Sequence, residues 1–419
     1  MKIGLVCPYN ITLGGGVQEQ VKAIRDELER RGHSVKIVTP AVRTIPEDCD
    51  TRGLVMLGGA ADFKTPLHTT AQFSASIDTA EIDDMLRHEA FDVLHFHEPW
   101  VPVLSRQILS RSKTVNIATF HAKLPDNAMS RTITKVVTPY TRSILKYLHE
   151  LVAVSDAAAE YIGELTDRPI AIIPNGVDIK HFAKAPKHLT GLDDDIKKHN
   201  GKMVLCIGRL ERRKGVKALL NAFQLLQENN EDVSLVLAGN GPDREKLEQQ
   251  VEDLGLRNVT FLGYVSEEEK LRLLHSADLF CAPALYGESF GVVLLEAMSS
   301  GLVTVAANNP GYASVMQGLG ALSLVNPHDT VEFARRLDLL LREESLRTMW
   351  QNWAKTNVKQ YSFKHIVDQY EAMYELAYGE HHNKRRRFFR NPLAKPAPLV
   401  KKAESTTKPR AKVVRSVSE

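Results

Sequence analysis

Ile3-Gly4-Leu5-Val6-Cys7 opens the chain as a short apolar run, and Ser34-Val35-Lys36-Ile37-Val38-Thr39 repeats that character further on. Between them, in 18–31, Val21, Ile24 and Leu28 recur at helical spacing, and Gly32 supplies a stop. Strand, helix and strand, with nearly continuous apolar strands, is the unit of a parallel sheet covered on both faces. The alternation continues outward through strand-like runs at 53–57, 93–96, 115–119, 151–154 and 170–173. It breaks at 183–200, a polar stretch containing Pro186 and Asp193-Asp194-Asp195. It resumes with runs at 203–207, 234–238, 259–262, 278–282, 302–306 and 322–325, separated by helical patterns at 216–228, 244–254, 267–276 and 290–299. The expectation is two doubly wound α/β domains, 1–182 and 201–355, joined by a linker at 183–200. The helical, aromatic-rich segment 345–378 follows the last strand and has no sheet of its own to cover. Its later part, 356–379, is expected to pack back on the first domain. Residues 380–419 are rich in Lys, Arg, Pro and Ser without apolar periodicity, and are expected to form a disordered basic tail.

The 419 residues contain 43% hydrophobic and 25% charged side chains, an ordinary globular balance that excludes fibrous and wholly disordered classes. No apolar run reaches the roughly 20 residues of a membrane-spanning helix. The N-terminus reads as a strand and not as a signal peptide. The four cysteines, Cys7, Cys49, Cys206 and Cys281, are far apart and are read as reduced thiols of a cytoplasmic protein. The net charge of +3 hides an asymmetry: residues 384–419 hold twelve Lys or Arg against two Glu, which leaves the body at −7. The stretch 78–88 is itself acidic, with Asp78, Glu81, Asp83 and Asp84.

Four motifs carry chemistry. Gly14-Gly15-Gly16-Val17-Gln18 follows the first strand and opens a helix, where glycine permits close backbone approach and free N–H groups meet an anion. Gly208-Arg209-Leu210-Glu211-Arg212-Arg213-Lys214 follows the first strand of the second domain, and its cations suit a diphosphate, with Arg212 the member expected to face solvent. In Gly287-Glu288-Ser289-Phe290-Gly291-Val292-Val293-Leu294-Leu295-Glu296, two carboxylates flank an apolar helix start. Eight positions at 100° each put Glu296 about 80° around the helix from Glu288, too far for a dyad but suited to one elongated ligand. The N–H groups of Phe290, Gly291 and Val292 would meet phosphate oxygens. In Thr119-Phe120-His121-Ala122-Lys123, His121 stands just past a strand end, where it could contact a reacting group or polarise a hydroxyl, with Thr119 and Lys123 as further candidate contacts for the group that bears that hydroxyl. His95-Phe96-His97-Glu98 has two histidines on one strand face but no further ligand nearby, so it is read as strand-end packing and not as zinc. Asp193-Asp194-Asp195 is read as linker polarity. Lys384-Arg385-Arg386-Arg387-Phe388-Phe389-Arg390 suits an anionic membrane surface, and no nucleic acid is expected.

Together, Arg209 with Lys214, the Glu288 to Glu296 element and Ile173-Pro174-Asn175-Gly176-Val177-Asp178 resemble the family-4 retaining glycosyltransferases of GT-B fold. Val6-Cys7-Pro8-Tyr9, Gly15-Gly16-Val17-Gln18, His97-Glu98-Pro99, Thr119-Phe120-His121 and Cys281-Ala282-Pro283 most resemble the phosphatidylinositol mannosyltransferases within it. The resemblance spans about 1–378 and implies two facing Rossmann-like domains with a C-terminal helix crossing back. It implies a nucleotide sugar, GDP-mannose, as co-substrate, no metal, and a lipid hydroxyl such as that of phosphatidylinositol as acceptor. Donor contacts would come from Gly16, Arg209, Arg213, Lys214, Val265, Lys270, Glu288, Ser289, Phe290, Gly291, Val292 and Glu296. Acceptor contacts would come from Tyr9 and Gln18. His121, Arg209, Lys214 and Glu288 would serve catalysis, on the inner face of the plasma membrane.

Overall fold

The computed structural model describes residues 1–390 except 43, 48, 59, 65–69, 75–77, 102, 124–127, 187–200 and 230–231. Asp193-Asp194-Asp195 and most of the expected linker lie outside the described residues.

In the first domain, β1 (Lys2–Val6), α1 (Gly16–Arg30), β2 (Ser34–Pro40) and β3 (Leu54–Leu57) form the opening unit. A hairpin of β4 (Ala60–Lys64) and β5 (Thr70–Ser74), which the sequence reading did not anticipate, precedes α2 (Thr79–Glu89). Then come β6 (Val93–His97), α3 (Leu104–Arg111), β7 (Val115–Phe120), α4 (Ala128–Leu145), β8 (Glu150–Ala153), α5 (Asp156–Gly163), β9 (Ala171–Ile172) and α6 (Ile179–Phe182). The strands make one parallel sheet in the order β3-β2-β1-β6-β7-β8-β9. Val93, Leu94, His95, Phe96 and His97 are all buried, as a central strand covered on both faces requires.

The second domain repeats the plan with β10 (Lys202–Ile207), α7 (Val216–Glu228), β11 (Val233–Ala238), α8 (Arg244–Asp253), β12 (Val259–Gly263), α9 (Glu267–Ser276), β13 (Leu279–Ala282), α10 (Val292–Ser299), β14 (Thr304–Ala307), α11 (Pro310–Val315) and β15 (Leu324–Val325). Its parallel sheet runs β12-β11-β10-β13-β14-β15. Both orders reverse beside the first strand of the domain. That is where open α/β sheets leave a crevice at the carboxyl ends of their strands.

The C-terminal segment divides its work. After α12 (Thr330–Arg342), α13 (Glu344–Asn357) covers the second domain. Trp350 is fully buried there, and its Nε1 donates to Ser323 Oγ at 2.7 Å. So the first part of 345–378 does have a core to cover, because its aromatic stripe follows α12 around the same sheet. A 3-10 turn at Val358–Tyr361 leads into α14 (Phe363–Arg390). Ile366, Val367, Tyr370, Tyr374 and Ala377 join the core under β1, β2, β6 and β7 with Ile3, Ile37, Val93 and Ile117. Burying each aliphatic side chain of that stripe stabilises by about 1.5–3 kcal/mol. The N–H of Val177 donates to Tyr361 O at 2.8 Å, so the two passages between the domains run side by side.

Met1–Tyr378 forms one compact unit, and the chain from Gly379 onward separates from it. Within the latter, helix persists to Arg390, beyond the expected start of the tail. Residues 380–390 contain neither Gly nor Pro, and adding a residue to an existing helix costs far less than nucleating one. No helix among the described residues is long and apolar enough to cross a membrane.

Candidate active site

The donor side is built on three turns of the second domain. β10 ends at Ile207, and the chain then folds into the 3-10 turn Arg212–Lys214. Gly215 closes that turn at φ 70°, and a Cβ there would lie 2.0 Å from Pro283 O, so only glycine fits. The turn points two cations at one carboxylate. Arg213 Nη1 and Lys214 Nζ donate to Glu288 Oε1 at 2.8 and 2.7 Å. Arg213 Nε also lies 2.6 Å from Glu211 Oε1, and Arg209 Nε lies 3.9 Å from Glu211 Oε2. A continuous charged network therefore runs Arg209, Glu211, Arg213, Glu288, Lys214. Burial raises the Glu288 pKa, but Lys214 and Arg213 together outweigh it, and the group is held below its ordinary value as a carboxylate. Arg209 is the most exposed cation of the network, at 46% of its side chain. Arg212 is exposed too, but lines a separate groove of about 820 Å³ with Asp243 and Lys246. It is the solvated member, as the motif suggested.

Glu288 does not lie on the helix. Gly291 takes φ 115°, where a Cβ would meet Tyr312 Cδ1 at 2.6 Å, and this turn delays α10 to Val292. The rotation that separated the two glutamates therefore does not apply, because it treated both as helical. They are nonetheless split by their partners. Glu296, on α10, accepts from Lys270 Nζ of α9 at 3.0 Å, and Lys270 also pairs with Glu267 at 2.8 Å. Burial works against the Lys270 charge, but Glu296 and Glu267 outweigh it and raise its pKa. Glu296 shares that one cation and is raised by burial. The start of α10 has no side-chain cap, whereas Asn309 caps α11 through the N–H of Tyr312 at 2.9 Å. The first N–H groups of α10 thus keep capacity for an anion. Phe290 is buried edge-on to Tyr361, and Ser289 O accepts from the hydroxyl of Ser155, the cap of α5 in the first domain. Val265 is half-buried between β12 and the cap Ser266.

The first-domain side is a buried, uncharged network. His95 Nδ1 bonds Tyr374 OH and its Nε2 bonds Thr119 Oγ1, both at 2.7 Å, and Thr119 Oγ1 lies 3.1 Å from Tyr370 OH. His97 Nδ1 lies 2.9 Å from His121 Nε2. Burial pushes His95 down to about 3 and His121 down to about 4, with His97 also well below its usual value. Asn175 bonds the His121 ring and supports its proton. Between the two rings one nitrogen donates and the other accepts, and His97 Nε2 is buried with no hydrogen-bond partner among the described residues. Glu98 sits beside this group at φ 50° and fully buried, with Oε1 accepting the N–H groups of His121 and Ala122. Burial pushes it up to about 7, against the pull of those two bonds. A non-glycine residue in the left-handed region costs roughly 1–2 kcal/mol, which two hydrogen bonds of about 1 kcal/mol each offset.

Residues 14–181 match the Glycosyltransferase Family 4 model and residues 193–357 the Glycosyl transferases group 1 model. A phosphatidyl-myo-inositol mannosyltransferase of Mycolicibacterium smegmatis is 33% identical over 381 residues, covering 90% of this chain and 95% of that protein. This chain belongs to glycosyltransferase family 4. The corresponding protein of Mycobacterium leprae is 32% identical over 379 residues, covering 90% and 96%. Among solved structures, a glycosyltransferase from Rickettsia africae ESF-5 aligns at TM-score 0.71 and 18% identity, covering 90% of this chain and 98% of that one. Anabaena HepE in complex with UDP-glucose aligns at 0.69 and 20%, covering 89% and 99%. The glycosyltransferase fold is GT-B.

In this glycosyltransferase, Arg213, Lys214 and Glu288 are brought into direct contact, and Lys270 with Glu296 form a second pair. Gly16 opens α1, and a Cβ added there would meet nothing within 4 Å. Tyr9 is half-buried, and desolvation of its phenol, with a smaller part from Glu98, raises its pKa well above the usual value. Gln18 Nε2 donates to Asn10 O at 3.4 Å, and Lys123 pairs with Glu160 at 2.9 Å. Thr119 departs from its expected role. It is fully buried with its hydroxyl committed to His95 and Tyr370, because strand alternation turns it toward α14 and away from the surface.

Several residues escaped the sequence reading. Gln20 bonds both backbone groups of Gly176, at 2.8 and 2.7 Å, and ties α1 to the segment carrying Asn175. Ser155, Asn175 and Glu98 act across sequence distances that no local pattern encodes. The only signal was that Asn175 and Glu98 stood inside quoted motifs.

Proposed function

We propose that this glycosyltransferase moves mannose from GDP-mannose to a hydroxyl of a membrane inositol phospholipid such as phosphatidylinositol, with retention at the anomeric carbon. The observation that carries the reading is the convergence of Arg213 and Lys214 on Glu288 at the sheet crevice, in a chain similar over nearly its whole length to phosphatidyl-myo-inositol mannosyltransferases. The diphosphate would draw Arg209 and Lys214, Glu288 would accept from hydroxyls of the transferred sugar, and Glu296 with Lys270 would lie toward the nucleoside. The bond from the anomeric carbon to the leaving phosphate oxygen breaks as the acceptor oxygen bonds that carbon on the same face. The departing phosphate takes the acceptor's proton. Arg209 and Lys214 stabilise the charge that develops on it, so no metal is needed. His121, held neutral, contacts the reacting sugar as a hydrogen-bonding group and not as an acid.

The enzyme would work in the cytoplasm at the inner face of the plasma membrane, with the basic residues from Lys384 onward on anionic lipid at about 1 kcal/mol per basic side chain near the surface. Removing 384–419 is expected to abolish binding to phosphatidylserine vesicles, and unchanged binding overturns that attachment. The substrate reading is tested by incubating the protein and phosphatidylinositol vesicles with labelled GDP-mannose, UDP-glucose or UDP-N-acetylglucosamine. Label enters the lipid only from GDP-mannose. Transfer from a UDP-sugar, or conversion of a UDP-sugar without acceptor, overturns it in favour of a UDP-sugar transferase or an epimerase.

A further inference from the structure

The hydrogen bonds of the Glu98 side chain go to the backbone beside the His121 ring. Glu98 follows β6, is fully buried, and holds its backbone at φ 50°. Its own N–H donates to Thr119 O at 2.9 Å, which fixes it against the end of β7. Its Oε1 accepts from the N–H groups of His121 and Ala122, the latter at 2.6 Å, where β7 has just ended. Oε2 is buried with no hydrogen-bond partner among the described residues. A buried carboxylate is unfavourable unless its bonds compensate, and every bond this side chain makes goes to the two residues that set the direction of His121.

The His121 ring is held separately, by His97 and Asn175. Backbone and ring are thus restrained from two sides, as a group that must meet a substrate in one orientation requires.

We propose that Glu98 is a positioning residue for sugar transfer: Oε1 fixes the backbone of His121 and Ala122, and so fixes the orientation in which His121 meets the reacting groups. The proposal rests on the reading of His121 as the first domain's contact with the reacting sugar. Glu98 itself touches no substrate. What matters is an acceptor oxygen at the Oε1 position and not the charge, so glutamine can replace glutamate and alanine cannot.

The test uses full-length Glu98→Ala and Glu98→Gln. It compares transfer from GDP-mannose to phosphatidylinositol vesicles, GDP affinity by calorimetry, and the His121 ring signal by NMR of protein labelled with ¹⁵N-histidine, assigned with His121→Gln. For Glu98→Ala, kcat falls at least about tenfold while the GDP Kd stays within about twofold, and the His121 signal moves or broadens. Glu98→Gln restores kcat to within about threefold and returns the ring signal to its wild-type position. An alanine variant with wild-type kcat or an unmoved His121 signal overturns the proposal, as does a glutamine variant as impaired as alanine. Should the alanine variant fail to fold, the glutamine comparison still decides. If the wild type transfers nothing from GDP-mannose, the substrate reading has failed. The ring signals, with the donor the screen identifies, then decide the role of Glu98 independently.

Discussion

The second domain's cluster at the crevice is built of charges already paired, whereas the first domain's is built of polar groups kept neutral. Around Glu288, each carboxylate has a cation within 3 Å and solvent reaches the cluster, so the charges persist and can be exchanged for those of a diphosphate. Around His121, three histidines and a carboxyl are buried together, and desolvation drives all of them toward their uncharged forms. The contrast teaches a division of labour. On the proposed reading, the paired cations would serve a diphosphate, and the neutral cluster would serve the transferred sugar and the acceptor hydroxyl.

The largest effect expected from this contrast is on acid stability. His121 titrates near 6.5 when unfolded and about 4 when folded. Its contribution, on the order of 3 kcal/mol, is fully present above 6.5 and is lost as the pH falls toward 4, because the unfolded chain then binds the proton more readily. His95 and His97 act in the same sense. Glu98 opposes them. With a folded pKa of about 7 it holds a proton that the unfolded chain releases above its ordinary carboxyl range, so its contribution is present at low pH and is lost as the pH rises toward 7. Urea unfolding between pH 4 and 8 should therefore show stability falling with acid, and falling more steeply in Glu98→Gln. A flat profile breaks the neutral half of the comparison.

Next in size are Lys214→Ala and Glu288→Ala, each expected to cut turnover at least tenfold, a loss of about 1.4 kcal/mol or more in transition-state stabilisation. Near-wild-type rates in both break the charged half. Tyr374→Phe strips His95 Nδ1 of its partner and should cost about 1–3 kcal/mol in stability, read as a lower Tm, with turnover little changed. The smallest effect concerns salt. Arg213 and Lys214 are partly exposed, so raising ionic strength should weaken GDP binding modestly while leaving Tyr374→Phe no more destabilised than before.

The sheets were legible because buried parallel strands are continuous apolar runs, and strand ends fell within a residue or two at most positions. The β4–β5 hairpin was not, since its residues lack clear alternation. α12 was passed over, although Phe333, Ala334, Leu337, Leu340 and Leu341 sit at helical spacing behind the cap Asp329. At the candidate site, the sequence singled out Arg213, Lys214 and Glu288 as charges beside a strand end and glycine turns, and the structure brings these three side chains into contact. Thr119 was misread because a motif gives residue order but not which face of β7 a side chain takes. The link from Tyr370 and Tyr374 to the histidines joins residues some 250 or more positions apart, and no local spacing encodes it.

The most direct test of this division is GDP affinity beside turnover in His121→Ala and Lys214→Ala, measured by calorimetry and by sugar transfer on the same preparations. The account predicts that His121→Ala binds GDP within about twofold of wild type while turnover falls at least about tenfold, and that Lys214→Ala loses both. GDP affinity lost in His121→Ala and kept in Lys214→Ala would contradict it.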